Sequence, residues 1–324
     1  MSILVVGGAG YIGSQTVKAL LAAGMQPVVF DNLSSGHAWA LAPGVPFEQA
    51  DLADGAAVAG AIQRHGVTAV IHFAALIQVG ESMTSPSKYF RGNIVNTLNL
   101  LDAMVAAGVR DIVFSSTAAV YGDPVRVPID EDHPLAPVSP YGESKLFVER
   151  ALGWYGKAHG IRSAVLRYFN AAGADPDGAL GEAHPVESHL IPLAIRAAQG
   201  RAKPLAVFGT DYPTPDGTAV RDYVHVADLA DAHVAALRRL AAGGDSFTAN
   251  VGTGHGHSVH QVIAAVENVS GLHVPREVAP RRAGDAPVLV AEASRIRTLL
   301  SWTPRHAELE QIVAHAWAWE QRRH

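Results

Sequence analysis

The sequence predicts an α/β fold: a doubly wound parallel sheet over residues 1–175, then a smaller α+β lobe over residues 176–324. Three observations predict it. Short β-branched runs alternate with longer Ala/Leu-rich segments of helical spacing, and the chain turns to Gly, Pro and Asp clusters after Asn170. A length of 324 residues also suits about two domains. Segments near residues 220–250 are expected to pack back on the sheet.

The predicted strands are short and rich in β-branched residues: residues 3–6, 27–30, 69–73, 111–115 and 163–167. Between them, apolar residues recur at three- and four-residue intervals over residues 14–23, 56–65 and 93–107, which predicts crossover helices. The tail returns to helical spacing over residues 309–319 and predicts a closing helix.

Composition narrows the functional classes. A net charge of −5 and a pI near 6.3 do not suit a surface that binds a nucleic-acid backbone. Cysteine is absent, which excludes disulfides and thiolate chemistry and favours a reducing cytoplasm. The N-terminal residues run directly into a glycine loop, and every apolar stretch is too short for a membrane span. We therefore expect a soluble protein without an export signal.

The glycine loop Gly7–Gly13 follows a predicted strand and opens a predicted helix. Its glycines, Gly7, Gly10 and Gly13 among them, permit a tight turn and close approach of the backbone to a pyrophosphate at the helix N-terminus. Asp31 ends the second predicted strand. Its spacing along the sequence from the glycine loop is the one expected for a carboxylate that binds the adenosine ribose, which favours NAD over NADP. The alternative for Asp31 is a solvent-facing turn residue.

Tyr141 and Lys145 are four residues apart, which on a helix beginning near Pro140 places both side chains on one face. A tyrosine with a usual pKa of about 10 becomes a better base beside an ammonium and a cationic nicotinamide. Ser115 and Thr117 lie at the carboxyl edge of the sheet, where Thr117 can hold the reacting oxygen. The alternatives are a surface pair and a hydroxyl-rich turn.

Through these motifs the chain resembles the extended short-chain dehydrogenase/reductase superfamily, which has a Rossmann-like fold. Within it, the chain is most similar to the bacterial UDP-glucose 4-epimerase family, of the type also found in exopolysaccharide synthesis. The resemblance covers essentially the whole chain. It is carried by residues 7–13, 31–33, 72–75, 79–82, 115–117, 141–145, 167–170, 189–192, 208–212, 221–226 and 281–285.

The resemblance implies that NAD removes hydride from C4 of a UDP-hexose and returns it to the opposite face of a rotated 4-keto intermediate. It makes Tyr141 the base and then the acid, Lys145 its electrostatic partner and Thr117 the hydroxyl that bridges to the sugar. The implied cofactor contacts are Gly7, Gly10, Tyr11, Ile12, Gly13, Asp31, Asn32, Ser35, Asp51, Leu52, Phe73, Ala74, Ala75, Asn93, Ser115, Tyr141, Lys145 and Phe169. The implied contacts to the UDP-sugar substrate are Thr117, Asn170, His189, Leu190, Phe208, Arg221, Arg282, Asp285 and Leu289.

The chain departs from its superfamily at three places. Sister dehydratases carry an acidic pair after the threonine, where this chain has Ala118 and Ala119, so elimination lacks its acid and base. Ile77 stands where some relatives have a lysine that approaches the cofactor. Leu289 stands where some epimerases have a tyrosine, and we hypothesise that the smaller side chain admits N-acetylated sugars.

Other functions stay open. A nucleotide-sugar reductase, or a 4-epimerase of pentoses or uronates, would use the same core residues. An NAD-sensing binding protein would need neither Tyr141 nor Lys145. The 16 histidines include His255, His257 and His260, but no acidic or thiol residue accompanies them, so we expect no metal site there. The family implies a homodimer, and the apolar stripes of residues 93–107 and 141–152 suit either a shared helical interface or packing on the chain's own sheet.

Overall fold

The computed structural model describes residues 1–282 and 285–322. Its strands, in chain order, are β1 Ser2–Val6, β2 Gln26–Asp31, β3 Phe47–Gln49, β4 Ala69–His72, β5 Asp111–Thr117, β6 Arg162–Tyr168, β7 Asn170–Ala172, β8 Leu205–Phe208, β9 Val220–His225, β10 Phe247–Val251, β11 Gly256–Ser258, β12 Arg276–Ala279 and β13 Val288–Leu289.

The helices are α1 Tyr11–Ala22, α2 Gly55–Arg64, α3 Val79–Thr84, α4 Pro86–Tyr89, α5 Asn96–Ala107, α6 Pro140–His159, α7 Leu190–Ala198, α8 Val226–Ala241, α9 Val259–Ser270, α10 Ser294–Leu300 and α11 Leu309–Arg322. A π-helical turn, Phe90–Val95, joins α4 to α5. No helix of the described residues is long and apolar enough to cross a membrane.

Seven parallel strands form the main sheet in the order β10-β6-β5-β4-β1-β2-β3. The chain leaves the central strand β1 in one direction through β2 and β3, and then in the other through β4, β5 and β6. The predicted doubly wound α/β fold and its five predicted strands are confirmed. Two strands were missed, because β3 has only three residues and β10 lies far along the chain from its neighbour β6.

The alternation of side chains along β1 shows why Ile3–Val6 are all apolar. Ile3 and Val5 pack into one buried cluster with α1 and α8, and Leu4 and Val6 pack into a second with α2 and α5. A strand covered by helices on both faces has no solvated side, so polar alternation is absent. The two helical layers thereby fix the sheet whose carboxyl edge carries the site.

The smaller lobe has its own core, in which α7, α9 and α11 pack together with β8. The strand β12 pairs in parallel with β8 but is exposed. A second small sheet has the order β11-β9-β13, and β7 also pairs with β9. The predicted closing helix is present as α11. The helix α8 and the strand β10 belong to the main sheet and its layers, although they come late in the chain. The division at residue 175 stays a prediction.

Candidate active site

The carboxyl ends of β1, β2, β4, β5 and β6 lie at one edge of the parallel sheet, because parallel strands all point the same way. This edge carries the glycine loop after β1, Asp31 at the end of β2, Phe73 after β4 and Thr117 at the end of β5. Residues that are far apart in the chain are thus gathered beside one another.

The glycine loop encloses a space that a side chain at Gly7 or Gly13 would fill. Gly7 has a φ of +82°, and a Cβ there would stand 2.6 Å from the backbone nitrogen of Ala74. A Cβ on Gly13 would stand 2.1 Å from the carbonyl oxygen of Gly7. The helix α1 begins at Tyr11 with Gly10 as its N-cap and no side-chain cap, which leaves amide N–H groups for an anion. The loop therefore fits a dinucleotide pyrophosphate.

Asp31 is buried and rigidly held at the next strand end. Its Oδ2 accepts a hydrogen bond from the Ala9 N–H (3.0 Å) and its Oδ1 accepts one from the Leu33 N–H (2.8 Å). Asn32 donates to Asp51 Oδ2 at 2.7 Å, so the implied adenosine contacts lie together. This arrangement links the carboxylate directly to the glycine loop, which a solvent-facing turn residue would not need.

Other implied cofactor contacts surround this edge. Ser35 lines a narrow cleft with Gly10 and Tyr11. The N–H groups of Phe73 and Ala74 both donate to the Val6 carbonyl (2.7 and 3.1 Å). The remaining members of the set lie in the loop, at strand ends or beside them: Ile12, Leu52, Ala75, Ser115 and Phe169.

Asn93 has a structural role that the sequence did not indicate. Its Oδ1 accepts from the Leu76 N–H (2.8 Å), and its Nδ2 donates to the Leu76 carbonyl and to Ser144 Oγ (both 3.0 Å). Ser144 in turn donates to the Tyr141 carbonyl at 2.7 Å. The buried amide therefore ties the segment after β4 to the first turns of α6, and a direct contact of Asn93 with the cofactor stays a prediction.

The reaction centre forms where α6 meets β5. The helix begins at Pro140, and Ser139 caps it by accepting a hydrogen bond from the Gly142 N–H (3.2 Å). Lys145 is 4% exposed and donates from Nζ to the Ser115 carbonyl (2.9 Å). The Thr117 hydroxyl is close enough to the Tyr141 hydroxyl to lower its pKa. The structure thus brings together all three residues of the predicted centre.

The protonation of Tyr141 and Lys145 differs from what the charge of the Lys145 ammonium alone would predict. Burial raises the pKa of Tyr141, and the neighbouring Thr117 hydroxyl only partly opposes this. Burial also lowers the pKa of Lys145 to about 7, against the opposing charge of Glu149. Burial disfavours the charged form of each side chain, so the chain by itself keeps Tyr141 protonated.

A buried ion pair behind the centre was not found from the sequence. Glu149 accepts from Ser116 Oγ and from Arg167 Nη2, both at 2.5 Å. Arg167 also donates to the Tyr121 hydroxyl at 3.0 Å. Glu149 lies one turn after Lys145 on α6, a spacing that places it on the same face and was the available signal. The network fixes α6 against β5 and β6.

In the smaller lobe the structure pairs two of the implied substrate contacts. Arg221 Nη2 lies 3.1 Å from Asp285 Oδ1, and its Nη1 donates to the Ala286 carbonyl at 2.9 Å. Leu289 stands opposite Arg221 in the register of β13 and β9. The Arg282 guanidinium lies 3.9 Å from the centre of the Phe208 ring. The motif at residues 281–285 includes Ala283 and Gly284, which lie outside the described residues.

The other implied substrate contacts lie at several separate positions in the structure. Leu289 and Phe169 pack against the cluster that contains Ala118, which directly follows Thr117. Asn170 begins β7, and Leu190 begins α7. The His189 imidazole, by contrast, is engaged by carboxylates: its Nδ1 lies 2.5 Å from Glu182 and 3.2 Å from Glu187.

Comparisons with known proteins agree with this geometry. Residues 3–252 match the model of the NAD dependent epimerase/dehydratase family. A UDP-glucose 4-epimerase of Azospirillum brasilense is 52% identical over 318 residues, covering 98% of this chain and 91% of the relative. The structure of UDP-glucose 4-epimerase from Brucella ovis with NAD has a TM-score of 0.95 at 45% identity, covering 98% and 97% of the two chains. The UDP-Glc/GlcNAc 4-epimerase of Campylobacter jejuni has a TM-score of 0.87 at 44% identity, covering 99% of each.

Proposed function

The chain belongs to the NAD dependent epimerase/dehydratase family, and from this premise we propose that it interconverts UDP-glucose and UDP-galactose by reversible epimerisation at C4. NAD is the cofactor of the family. When bound beside the glycine loop, it would supply a reversible hydride acceptor for C4 of the sugar, so the reaction would involve no net redox change. The observation that carries the proposal is the buried Thr117, Tyr141 and Lys145 constellation beside the glycine loop.

Thr117, Tyr141 and Lys145 have separate roles in the transfer of the C4 hydroxyl proton. Thr117 holds the C4 oxygen of the sugar against Tyr141. The Tyr141 oxygen takes the C4 hydroxyl proton and later returns it, and Lys145 stabilises the phenolate once a cationic ring enters the site. Ala118 and Ala119 supply no acid or base beside Thr117, so the site has no group there for eliminating water. Inversion is the reaction that these side chains support.

The two arginines of the smaller lobe suit the diphosphate of a UDP-sugar. A guanidinium offers several donors in a planar fork that matches phosphate oxygens. Arg221 is 13% exposed in its side chain and is oriented by Asp285, and Arg282 is held over Phe208. We propose that these arginines bind the diphosphate and so place the hexose toward Thr117.

The function is tested by incubating the purified chain with UDP-galactose. We expect UDP-glucose to accumulate without added NAD and without net NADH release. A reductase would need stoichiometric reduced cofactor, and a non-catalytic NAD-sensing protein would leave the sugar unchanged. Either result would contradict the proposed epimerase.

We expect weak turnover of UDP-N-acetylglucosamine, because Leu289 packs against the cluster that contains Ala118, next to Thr117, and a larger side chain at this position would narrow the proposed sugar pocket. Leu289→Tyr should reduce kcat/KM for the acetylated sugar by roughly tenfold or more while retaining turnover of UDP-galactose. Leu289→Met, which conserves volume, is the matched control and should retain both activities. If the unaltered chain turns over UDP-galactose but not the acetylated sugar, the hypothesis fails.

A homodimer is proposed from an exposed apolar surface on the π-helical turn and α6. Phe90 and Val95 are 38% and 50% exposed, and Phe147 and Trp154 on the adjacent α6 are 45% and 67% exposed. The turn packs against α6, so these side chains belong to neighbouring helices. Apolar surface on two adjacent helices can be covered by the same two helices of a second copy, the self-complementary arrangement of a two-fold dimer.

We expect a dimeric mass in solution and at least about tenfold weaker dimerisation for Phe147→Glu, because an aromatic side chain at the centre of an interface carries much of its binding energy. Val278→Glu is the control, since Val278 is 71% exposed on β12 in the other lobe. Light scattering after size exclusion measures both. A monomeric mass for the unaltered chain would exclude the dimer. The cytoplasmic location expected from the cysteine-free composition stays a prediction.

A further inference from the structure

Two glutamates and two histidines converge outside the reaction centre. We call them the 182–189 cluster, and it consists of Glu182, His184, Glu187 and His189. One ligand atom from each residue lies within 4.8 Å of all the others. Both carboxylates are buried, at 5% and 2% exposure of their side chains, whereas the imidazoles keep 18% and 41% exposure and can be reached from solvent.

The distances in the cluster suit a small tetrahedral ion. Zinc holds nitrogen and oxygen ligands at about 2.1 Å, so the ligand atoms of a tetrahedral site are separated by about 3.4 Å. Here Glu182 Oε1 lies 3.0 Å from His184 Nδ1 and 2.5 Å from His189 Nδ1. Glu187 Oε1 lies 3.7 Å and 3.2 Å from the same two nitrogens. The four separations bracket the expected value, so small side-chain movements would complete the geometry.

One buried carboxylate oxygen of the cluster, Oε2 of Glu187, lacks a hydrogen-bond partner among the described residues. The Arg196 guanidinium lies 3.7 Å from this oxygen but 2.8 Å from Glu320, so its charge is shared with another carboxylate. A buried carboxylate oxygen without a hydrogen bond is costly, and a cation would relieve that cost.

The backbone that carries the cluster is anchored from two sides. The Trp319 indole donates to the Glu182 carbonyl at 2.9 Å, and the His37 ring lies 2.6 Å from the Ala183 carbonyl. The His184 ring meets the Tyr11 ring edge-on, at 6.3 Å between centres, beside the glycine loop. Ligands on an anchored segment are preorganised, which lowers the cost of binding an ion.

From these observations we propose that the 182–189 cluster binds one divalent transition-metal ion of the Zn²⁺ type. Two imidazoles and two carboxylates are a ligand set that zinc accepts, and all must be deprotonated when the ion binds, so binding releases protons. An ion there would join the irregular segment before α7 to the N-terminus of that helix. Metal binding is measured without substrate, so this proposal stands or fails independently of the proposed function.

The test uses the full chain after treatment with a chelator. Titration with Zn²⁺ in a calorimeter should show one ion per chain, and Co²⁺ should give the intense visible absorption of a tetrahedral site. His184→Ala and His189→Ala should each weaken binding by at least about tenfold, since a metal ligand is lost. Glu187→Gln conserves the shape of the side chain and tests the same site if a histidine variant does not fold.

His255→Ala and His257→Ala are the controls, because these histidines lie in a glycine-rich segment outside the cluster. They should leave the stoichiometry and the absorption unchanged. The proposal is overturned if no ion binds, if the cluster variants bind as tightly as the unaltered chain, or if the control variants abolish binding.

Discussion

Tyr141→Phe is expected to lower turnover of UDP-galactose by about a hundredfold to ten-thousandfold, the usual contribution of a positioned acid–base group. The substitution removes one oxygen from a side chain that is 9% exposed and whose pKa the neighbouring Thr117 hydroxyl lowers. The ring still fits, so the fold and the bound NAD should be retained. Initial rates and the nicotinamide content of the purified protein measure the two effects separately.

Tyr155→Phe is the matched control on the same helix. Its hydroxyl is 2.5 Å from Asp102 Oδ1 at the surface, away from Thr117 and Lys145. Losing an exposed hydrogen bond should leave turnover almost unchanged. If Tyr141→Phe retained full turnover with NAD bound, Tyr141 would not be the base, and the proton would have to leave by another group.

Gly13→Ala is expected to abolish stable NAD binding. A Cβ at this position would stand 2.1 Å from the Gly7 carbonyl oxygen and 2.9 Å from the Gly8 Cα, both of them backbone atoms that cannot rotate away. The loop must therefore shift, and it carries the amide groups that we propose to bind the pyrophosphate of NAD. Overpacking of this kind costs about 1–3 kcal/mol of folding stability as well. Nicotinamide content and thermal unfolding measure the two losses.

Gly153→Ala provides the control within α6. A Cβ there meets no atom within 4 Å, so the substitution exchanges a poor helix former for a good one without a clash. We expect the free energy of unfolding to increase by up to about 1 kcal/mol, with NAD content and turnover unchanged. Full NAD occupancy in the Gly13→Ala protein would show that the close approach of Gly7 and Gly13 is not required.

Several local features could be predicted because they depend on short-range pattern. The strands of the main sheet are apolar on both faces, and the glycine loop and Tyr141 with Lys145 have fixed spacings. The carboxyl-edge rule then placed Asp31 and Thr117 at the same edge as the loop. These inferences need only the period of a strand or helix and the direction of a parallel sheet, so the sequence alone supports them.

Long-range pairings could not be predicted in the same way. The strand β10 pairs with β6, although 78 residues lie between the end of β6 at Tyr168 and the start of β10 at Phe247. Glu149 was missed because it lies on α6, whereas its partners Ser116 and Arg167 lie on the strands β5 and β6. Asn93 was assigned to the cofactor from resemblance, whereas its described hydrogen bonds go to Leu76 and Ser144.

The sequence by itself predicted the α/β fold, which is confirmed, together with the candidate cofactor loop and the candidate acid–base pair, because each follows from local periodicity or from a motif of nearby residues. Only the tertiary structure decided the protonation of Tyr141 and Lys145, because desolvation depends on everything that is packed around them. It also decided the 182–189 cluster: burial and side-chain direction bring its carboxylates and imidazoles together, and spacing along the chain does not encode either.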